Sequence, residues 1–411
     1  MDTKTPVVVL RSVHHGGLGI ARSLGRLGVP VHCVDADLWS PTFTSRYCKG
    51  RHVLDIEHGS LEDAVAHLLE IGAKLGGRPI LISTTDRTTM RVAQAAGVLG
   101  STFRFPYQDA TLVSTLCDKS RMQRLAEQCG IPIARSVVPR SRQDLLQFLE
   151  GAAFPFMVKA TDDERLRRKV GGTKFLIRTQ DKLLEFYDRA GDPENPSFLV
   201  QEFIPGEDWM FNGYFDRNSE CVFGATGKKI RRFPVSTGVT SLGICVHNHT
   251  VERITRQFMK AIRYRGILDI GFRYDLRNGQ YRVLDVNPRI GCTFRLFAAA
   301  NGMDVARALY LDLTGQPVRH ATVEDGRKWI VEDFDLASIL ISAYRTGKFD
   351  WRESARSLRG VQETACFALD DPLPLLLSGF ADICEFYRWL QRRPGAKKKD
   401  EVELTQVACD S

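Results

Sequence analysis

Between Val7 and Gly97 the chain switches repeatedly between short β-branched runs and helical stretches closed by glycine. Val7 to Leu10 is an apolar run long enough for a buried strand and too short for a helix. His14-His15-Gly16-Gly17-Leu18-Gly19 reads as a glycine turn, followed by a helix from Ile20 to Leu27 that Gly28 ends. Val29 to Asp35 and Pro79 to Ser83 read as strands, Leu61 to Leu75 and Thr88 to Gly97 as helices. Parallel strands need long crossovers, and helices usually fill them. The pattern therefore predicts a parallel sheet with helices on its faces.

Downstream the punctuation changes. A helix is expected from Cys117 to Cys129, with Gly130 and Pro132 as its stop signals. Strands follow at Pro155 to Ala160, Phe175 to Arg178 and Phe198 to Ile204, the last running into Pro205-Gly206. Between the first two lies a charged, poorly periodic stretch from Thr161 to Lys169, then Gly171-Gly172-Thr173-Lys174. Asn212 to Phe215 and Cys221 to Ala225 read as an antiparallel pair, and Thr250 to Tyr264 as a helix. Ile267 to Tyr274 and Gln280 to Val286 form a hairpin around Arg277-Asn278-Gly279. Helices are expected at Phe294 to Asn301, Met303 to Leu313 and Leu373 to Arg393, the last packed on its own protein. The tail from about Pro394, with Lys397-Lys398-Lys399, has the composition of a disordered segment.

Composition narrows the function classes. With 411 residues the chain is long enough for two or three domains and needs no disulfide or metal to fold. Its 10 cysteines show no CxxC spacing, which argues against a structural zinc site and fits reduced thiols in a cytoplasmic protein. No apolar run approaches the length of a membrane span, and Val7 to Leu10 stops at Arg11, too soon for a signal peptide. The net charge of +8 is mild and its acids are interspersed, so it suits a small anionic substrate better than nucleic acid.

Three segments carry chemistry. In Val283-Leu284-Asp285-Val286-Asn287-Pro288-Arg289, strand alternation puts Asp285 and Asn287 on one face. A carboxylate beside an amide oxygen suits Mg²⁺, and Arg289 past the strand end can grip a phosphate or carboxylate bidentately. Asp269 lies on the partner strand and can add a second carboxylate. Lys159 ends an apolar strand, where a lysine is costly unless it meets an anion. Gly171 and Gly172 allow backbone N–H groups to approach phosphate oxygens. Gln201 to Asp208 runs from a strand into a turn whose backbone can pair with an adenine edge and whose acids can hold ribose hydroxyls.

The order of these segments, from Asp118-Lys119 through Lys159, the glycines and Gln201-Glu202-Phe203-Ile204-Pro205-Gly206-Glu207-Asp208 to Asp285-x-Asn287-Pro288-Arg289, resembles the ATP-grasp superfamily. The likeness is to its carboxylate–amine ligases, of D-aspartate ligase-like and D-alanine–D-alanine ligase-like type, over roughly residues 5–315. The resemblance implies an α/β ATP-grasp fold. A Rossmann-like parallel domain (1–115) precedes a small lobe (116–206) and a lobe with the Mg²⁺ site (207–319), followed by a C-terminal extension (320–411). It implies ATP and Mg²⁺ as cofactors, two ions in number, with Mn²⁺ an acceptable substitute. Lys119 then becomes the first lysine to contact the nucleotide and Lys159 the lysine on the phosphates, with residues 161–174, including Gly171, Gly172 and Lys174, a mobile loop over the triphosphate. Glu202, Phe203 and Ile204 fall to adenine, and Asp208 or Glu207 to ribose. Asp285 and Asn287 become metal ligands, with Arg289 steadying the reacting group.

The chain departs from the family pattern at Asp285, where glutamate is usual, and at Gly271, where an acid is usual; Asp269 or Asp275 takes that acid's place. In such a ligase Lys228 and Arg231, in a basic segment read as a loop, join Arg289 as catalytic groups. His14 and Asp86 touch the substrate. The implied reaction joins a small carboxylate to an amine, amino acids or peptides by preference, with a homodimer as one accessible assembly. Two other readings compete: a catalytically weak ATP-binding module acting through 320–411, and an oxidoreductase using the N-terminal glycines with Asp35 as a dinucleotide fingerprint.

Overall fold

The computed structural model describes residues 1–378 apart from 13–14, 234, 236–237 and 347–350. His14, the tail from 394 and most of the expected helix 373–393 lie outside the described residues. The N-terminal domain is a four-stranded parallel sheet, β1 (Val7–Leu10), β2 (Val31–Asp35), β3 (Cys48–Val53) and β4 (Ile80–Ser83), in the order β3-β2-β1-β4. The expected glycine turn is already helical: the first helix is His15–Gly25. Its glycines serve packing rather than a turn. A Cβ on Gly17 would lie 2.7 Å from the Ser12 backbone, and one on Gly19 2.9 Å from the Phe294 ring. Asp35 of the supposed fingerprint is fully buried and receives Arg11 Nη1 at 2.7 Å, so it is not presented to a ribose.

A second sheet is antiparallel: β5 (Ser136–Val137), β6 (Phe156–Ala160), β7 (Lys174–Ile177) and β8 (Phe198–Glu202), in the order β5-β8-β6-β7. The charged stretch before β7 is not an open loop but the helix Asp163–Val170. Asp162 caps it by accepting from Arg165 N–H, Gly171 closes it at φ +79°, and Leu166 anchors it in the core.

The third sheet has seven strands. They are β9 (Asp208–Phe215), β10 (Cys221–Phe233), β11 (Val239–Cys245), β12 (Gly266–Asp275), β13 (Gln280–Asn287), β14 (Lys328–Ile330) and β15 (Val361–Thr364). Their order is β13-β12-β9-β10-β11-β14-β15. One face of β9, β12 and β13 buries Trp209, Phe211, Leu268, Ile270 and Val286 against the helix His249–Ala261. The other face points into the cleft and toward the N-terminal domain, as Tyr214, Ile267 and Ile290 pack with Val7, Ile20 and Leu309.

The boundary expected at 319/320 therefore falls within this sheet. Residues 320–378 supply β14 and β15, and Trp329 and Val331 pack with Met210, Leu296 and Phe297. A buried ion pair also ties them to the first helix. Arg22 Nε donates to Asp371 at 2.9 Å, and its other nitrogens donate to the Ala365, Cys366 and Asp371 carbonyls. Among the described residues no helix is long and apolar enough to cross a membrane.

Candidate functional site

Register builds the centre of the cleft. Asn212, Asp269 and Asn287 are Cα partners across β9, β12 and β13, and Gly271 and Asp285 pair in the next row. Asn287 Nδ2 donates to Asp269 Oδ2 and to Asp285 Oδ2, each at 3.3 Å, so two carboxylates converge on one amide. Burial pushes the Asp269 carboxyl up, and the nearby Asp285 adds to this against Arg289 and Lys229. For Asp285 burial acts upward too, but Lys159, Lys229 and Lys174 outweigh it and hold the group below the usual range. Neighbouring carboxyls driven in opposite directions mark a site built for charge rather than for packing.

The facing lobe supplies the cations. Lys159 and Lys174 are register partners on β6 and β7, and Lys119 Nζ donates to Ala160 O at 2.6 Å beside them. Burial pulls the Lys159 ammonium down to about 7; Asp285 opposes this, while Lys174, Lys119 and Lys229 reinforce it. Like charges gathered this way are costly unless an anion joins them. The cluster has the sign and reach to hold a polyphosphate.

Lys229 is a member of this cluster that the sequence reading missed. The sequence pattern ends the strand pair at Ala225 and leaves 228–231 as a loop. In fact β10 runs to Phe233, so alternation sends Lys228 and Lys229 to opposite faces. Lys228 leaves the cleft centre: its ammonium lies 4.5 Å from the centroid of the Trp209 ring and bonds Glu207 at 2.6 Å. Arg231 is also turned elsewhere, forming a fork with Asp335 at 2.8 and 2.6 Å, with Ser357 as a further partner. Both residues, expected to join Arg289 as catalytic groups, are thus paired with carboxylates.

Arg289 stands where β13 ends. Its Nε donates to Asp86 Oδ1 at 2.8 Å across the domain boundary. Burial works against its charge, but Asp86, Cys292 and Asp269 more than offset this, so it stays a cation. Asp86, expected to touch substrate, instead aims this guanidinium.

The segment 202–208, expected to face adenine and ribose, is arranged differently. Glu202 N–H donates to Arg135 O at 2.9 Å, and Phe203 carries Arg273 over its ring at 5.1 Å. Arg273 Nε donates to Ile204 O at 2.8 Å. Gly206 has φ +144° and lies so close to Tyr274 O that no side chain fits there. Asp208 is buried and bonded to both Arg273 and Arg232, the latter at 2.7 Å. Glu207 is spent on Lys228 and Glu202 on Arg277 at 2.6 Å. Asp275 accepts from Arg277 and Arg282 at the far end of the hairpin, which removes it as an alternative to Asp269. The Arg277 bonds hold its carboxyl down to about 2.

The donors present suit a divalent cation. Asp269 and Asp285 give carboxylate oxygens, and the Asn287 amide, turned by a flip about its last torsion, adds a carbonyl oxygen. Hard oxygen donors of this kind select Mg²⁺ or Mn²⁺. Among the described residues no cluster of three or more His, Cys, Asp and Glu is placed to hold a metal. Two carboxylates and an amide are oxygen donors that this face of the sheet offers.

The parallel domain, the antiparallel lobe and the seven-stranded sheet with this cleft match solved structures. N5-carboxyaminoimidazole synthetase from Staphylococcus aureus, complexed with ADP, superposes with a TM-score of 0.61 over 80% of this chain and 82% of that one, at 14% identity. The chain has the ATP-grasp fold. In sequence, this ATP-grasp chain is 24% identical over 311 residues to the D-aspartate ligase of Enterococcus faecium, covering 68% of this chain and 74% of that protein. It is 23% identical over 290 residues to the carbamoyl phosphate synthase large chain of Methanothrix thermoacetophila, of which it spans only 26%. No family model matches it.

Proposed function

We propose that this chain is an ATP-dependent carboxylate–amine ligase. The observation that carries the proposal is the cleft itself: Asp269, Asp285 and Asn287 on one sheet face, with lysines from two lobes around them and Arg289 at the open end. The likeness to D-aspartate ligase and the ADP-bound neighbour support ATP and small-molecule substrates for it.

In this reading Lys119, Lys159, Lys174 and Lys229 hold the triphosphate, and the Gly206 turn sets the edge of the base site. Asp269, Asp285 and Asn287 hold Mg²⁺, which when bound neutralises phosphate charge. Arg289, aimed by Asp86, orients the substrate carboxylate toward the γ-phosphate. A carboxylate oxygen attacks that phosphorus, giving an acyl-phosphate and ADP. The amine nitrogen then attacks the acyl carbon, phosphate leaves with the transferred oxygen, and the amine proton passes to solvent. No side-chain nucleophile is required, so the work of the site is positioning and charge stabilisation. Two ions, a cytoplasmic setting and a homodimer belong to the same proposal. The oxidoreductase alternative loses its acid, since Asp35 is committed to Arg11.

The test is phosphate release from Mg·ATP with pools of amino acids, small acids and amines, with Asp285→Ala alongside. Substrate-dependent release that disappears in the variant is expected. ATP binding without any substrate-dependent release favours the binding-module reading, and failure to bind ATP overturns the proposal.

A further inference from the structure

Asn212 has no role in the site as described, yet it sits in its central row. It is fully buried in the middle of β9, with Ala225 as Cα partner on one side and Asp269 on the other. Neither its Oδ1 nor its Nδ2 makes a hydrogen bond of ordinary geometry, although the amide lies close enough to the Asp269 carboxylate to help hold it down. A buried side-chain amide paired this poorly is unfavourable, and apolar residues fill the other face of this strand without difficulty. Its side chain shares the cleft face with Met210 and Tyr214, the opposite face from Trp209 and Phe211.

The neighbouring row has a matching gap. At Gly271 an added Cβ would lie 2.5 Å from Asp285 Oδ1, so the Asp285 carboxylate occupies the space a side chain there would need. The strand thus offers no donor at 271, and the oxygen donors gather one row along, at Asn212, Asp269 and Asn287.

We propose that Asn212 is an oxygen donor of the divalent-cation site, taking the place of the side chain that Gly271 lacks. The inference rests on the cation site of the proposed function and adds to it a residue on a third strand. An amide carbonyl is a suitable ligand for Mg²⁺ or Mn²⁺ and brings no further charge to a site that already has two carboxylates. It also accounts for the poor pairing: an amide beside the Asp269 carboxylate with no well-formed bond in the fold is kept for a ligand.

The test is Mn²⁺ binding to the full chain, followed by the loss of the free-ion electron paramagnetic resonance signal. Thermal unfolding without metal is measured on the same samples. Asn212→Leu is expected to weaken Mn²⁺ binding by on the order of 10-fold or more. Its unfolding temperature should be unchanged or higher, because no hydrogen bond of ordinary geometry is lost. Asn212→Asp is expected to bind at least as well as the unaltered chain. Asp285→Ala is the control for the site itself. Unchanged Mn²⁺ affinity in Asn212→Leu, with weakened binding in Asp285→Ala, overturns this inference and leaves the cation site standing. Unchanged affinity in both, or no Mn²⁺ binding by the unaltered chain, overturns the cation site and this inference with it. If Asn212→Leu lowers the unfolding temperature and leaves affinity intact, the residue is structural and the inference fails.

Discussion

The two ends of the cleft contain similar residues and use them in opposite ways. Around Asp285 the acids and lysines come from separate strands and lobes, and their charges act on one another without a salt bridge joining Asp269 or Asp285 to a lysine among the described residues. Around Asp208 each acid is already committed: Asp208 to Arg273 and Arg232, Glu207 to Lys228, Glu202 to Arg277. An acid already paired with arginine contributes to the fold, whereas charges held near one another without closing into pairs contribute to binding. The sequence presents both groups as acids beside strand ends, and only their partners distinguish them.

That contrast can be broken most forcefully at Asp208. Asp208→Ala leaves the buried Arg273 and the half-buried Arg232 without their carboxylate, and loss of one partner of a buried pair costs about 3–5 kcal/mol. Chemical denaturation should register a loss of that size; a stable Asp208→Ala chain with weakened nucleotide binding would assign Asp208 to the ligand instead. At the other end, Asp285→Ala should lower substrate-dependent phosphate release by on the order of 10²-fold or more, the scale for losing one preorganised charge in such a site.

Lys159 sharpens the comparison through pH. Its ammonium sits near 7 in the free chain, so at pH 8 the group is largely neutral. A bound polyphosphate favours the charged form. ATP binding at pH 8 should therefore take up close to one proton, and affinity should fall as pH rises from 7 toward 9. Calorimetry in two buffers of different ionisation enthalpy reads this directly, and zero uptake would detach Lys159 from the phosphates. Stability should move the opposite way. The unfolded lysine binds its proton up to about pH 10, so the cost of burying the charged form is relieved as pH climbs through this window. The smallest effect is expected at the exposed pair: Glu207→Gln should change stability by less than about 1 kcal/mol, since surface ion pairs contribute little.

What could be read from sequence follows the range of the interactions. The hairpin β12–β13 and the common face of Asp285 and Asn287 depend on alternation within a few residues, and the sequence pattern places them. The ATP-grasp fold was legible from the order of its segments. Lys229 was not, because its face depends on β10 continuing past Ala225, and that continuation is set by pairing with β11. The helix Asp163–Val170 was hidden by its charged composition, although Asp162 and Gly171 were both present as caps. The arginine partners of Asp208 lie 24 and 65 residues away in the chain, beyond any local pattern. Asn212 carries no signal of its own: an asparagine between Phe211 and Gly213 becomes notable only when its neighbours across two strands are known.

The central claim is that the substrate carboxylate receives the γ-phosphoryl group within this cleft. The most direct measurement follows oxygen. With ¹⁸O in the carboxyl groups of the pool that supports phosphate release, one ¹⁸O atom should appear in each phosphate formed during amide synthesis. Phosphate released without carboxylate oxygen would mean that water is the acceptor, and would contradict the ligase account.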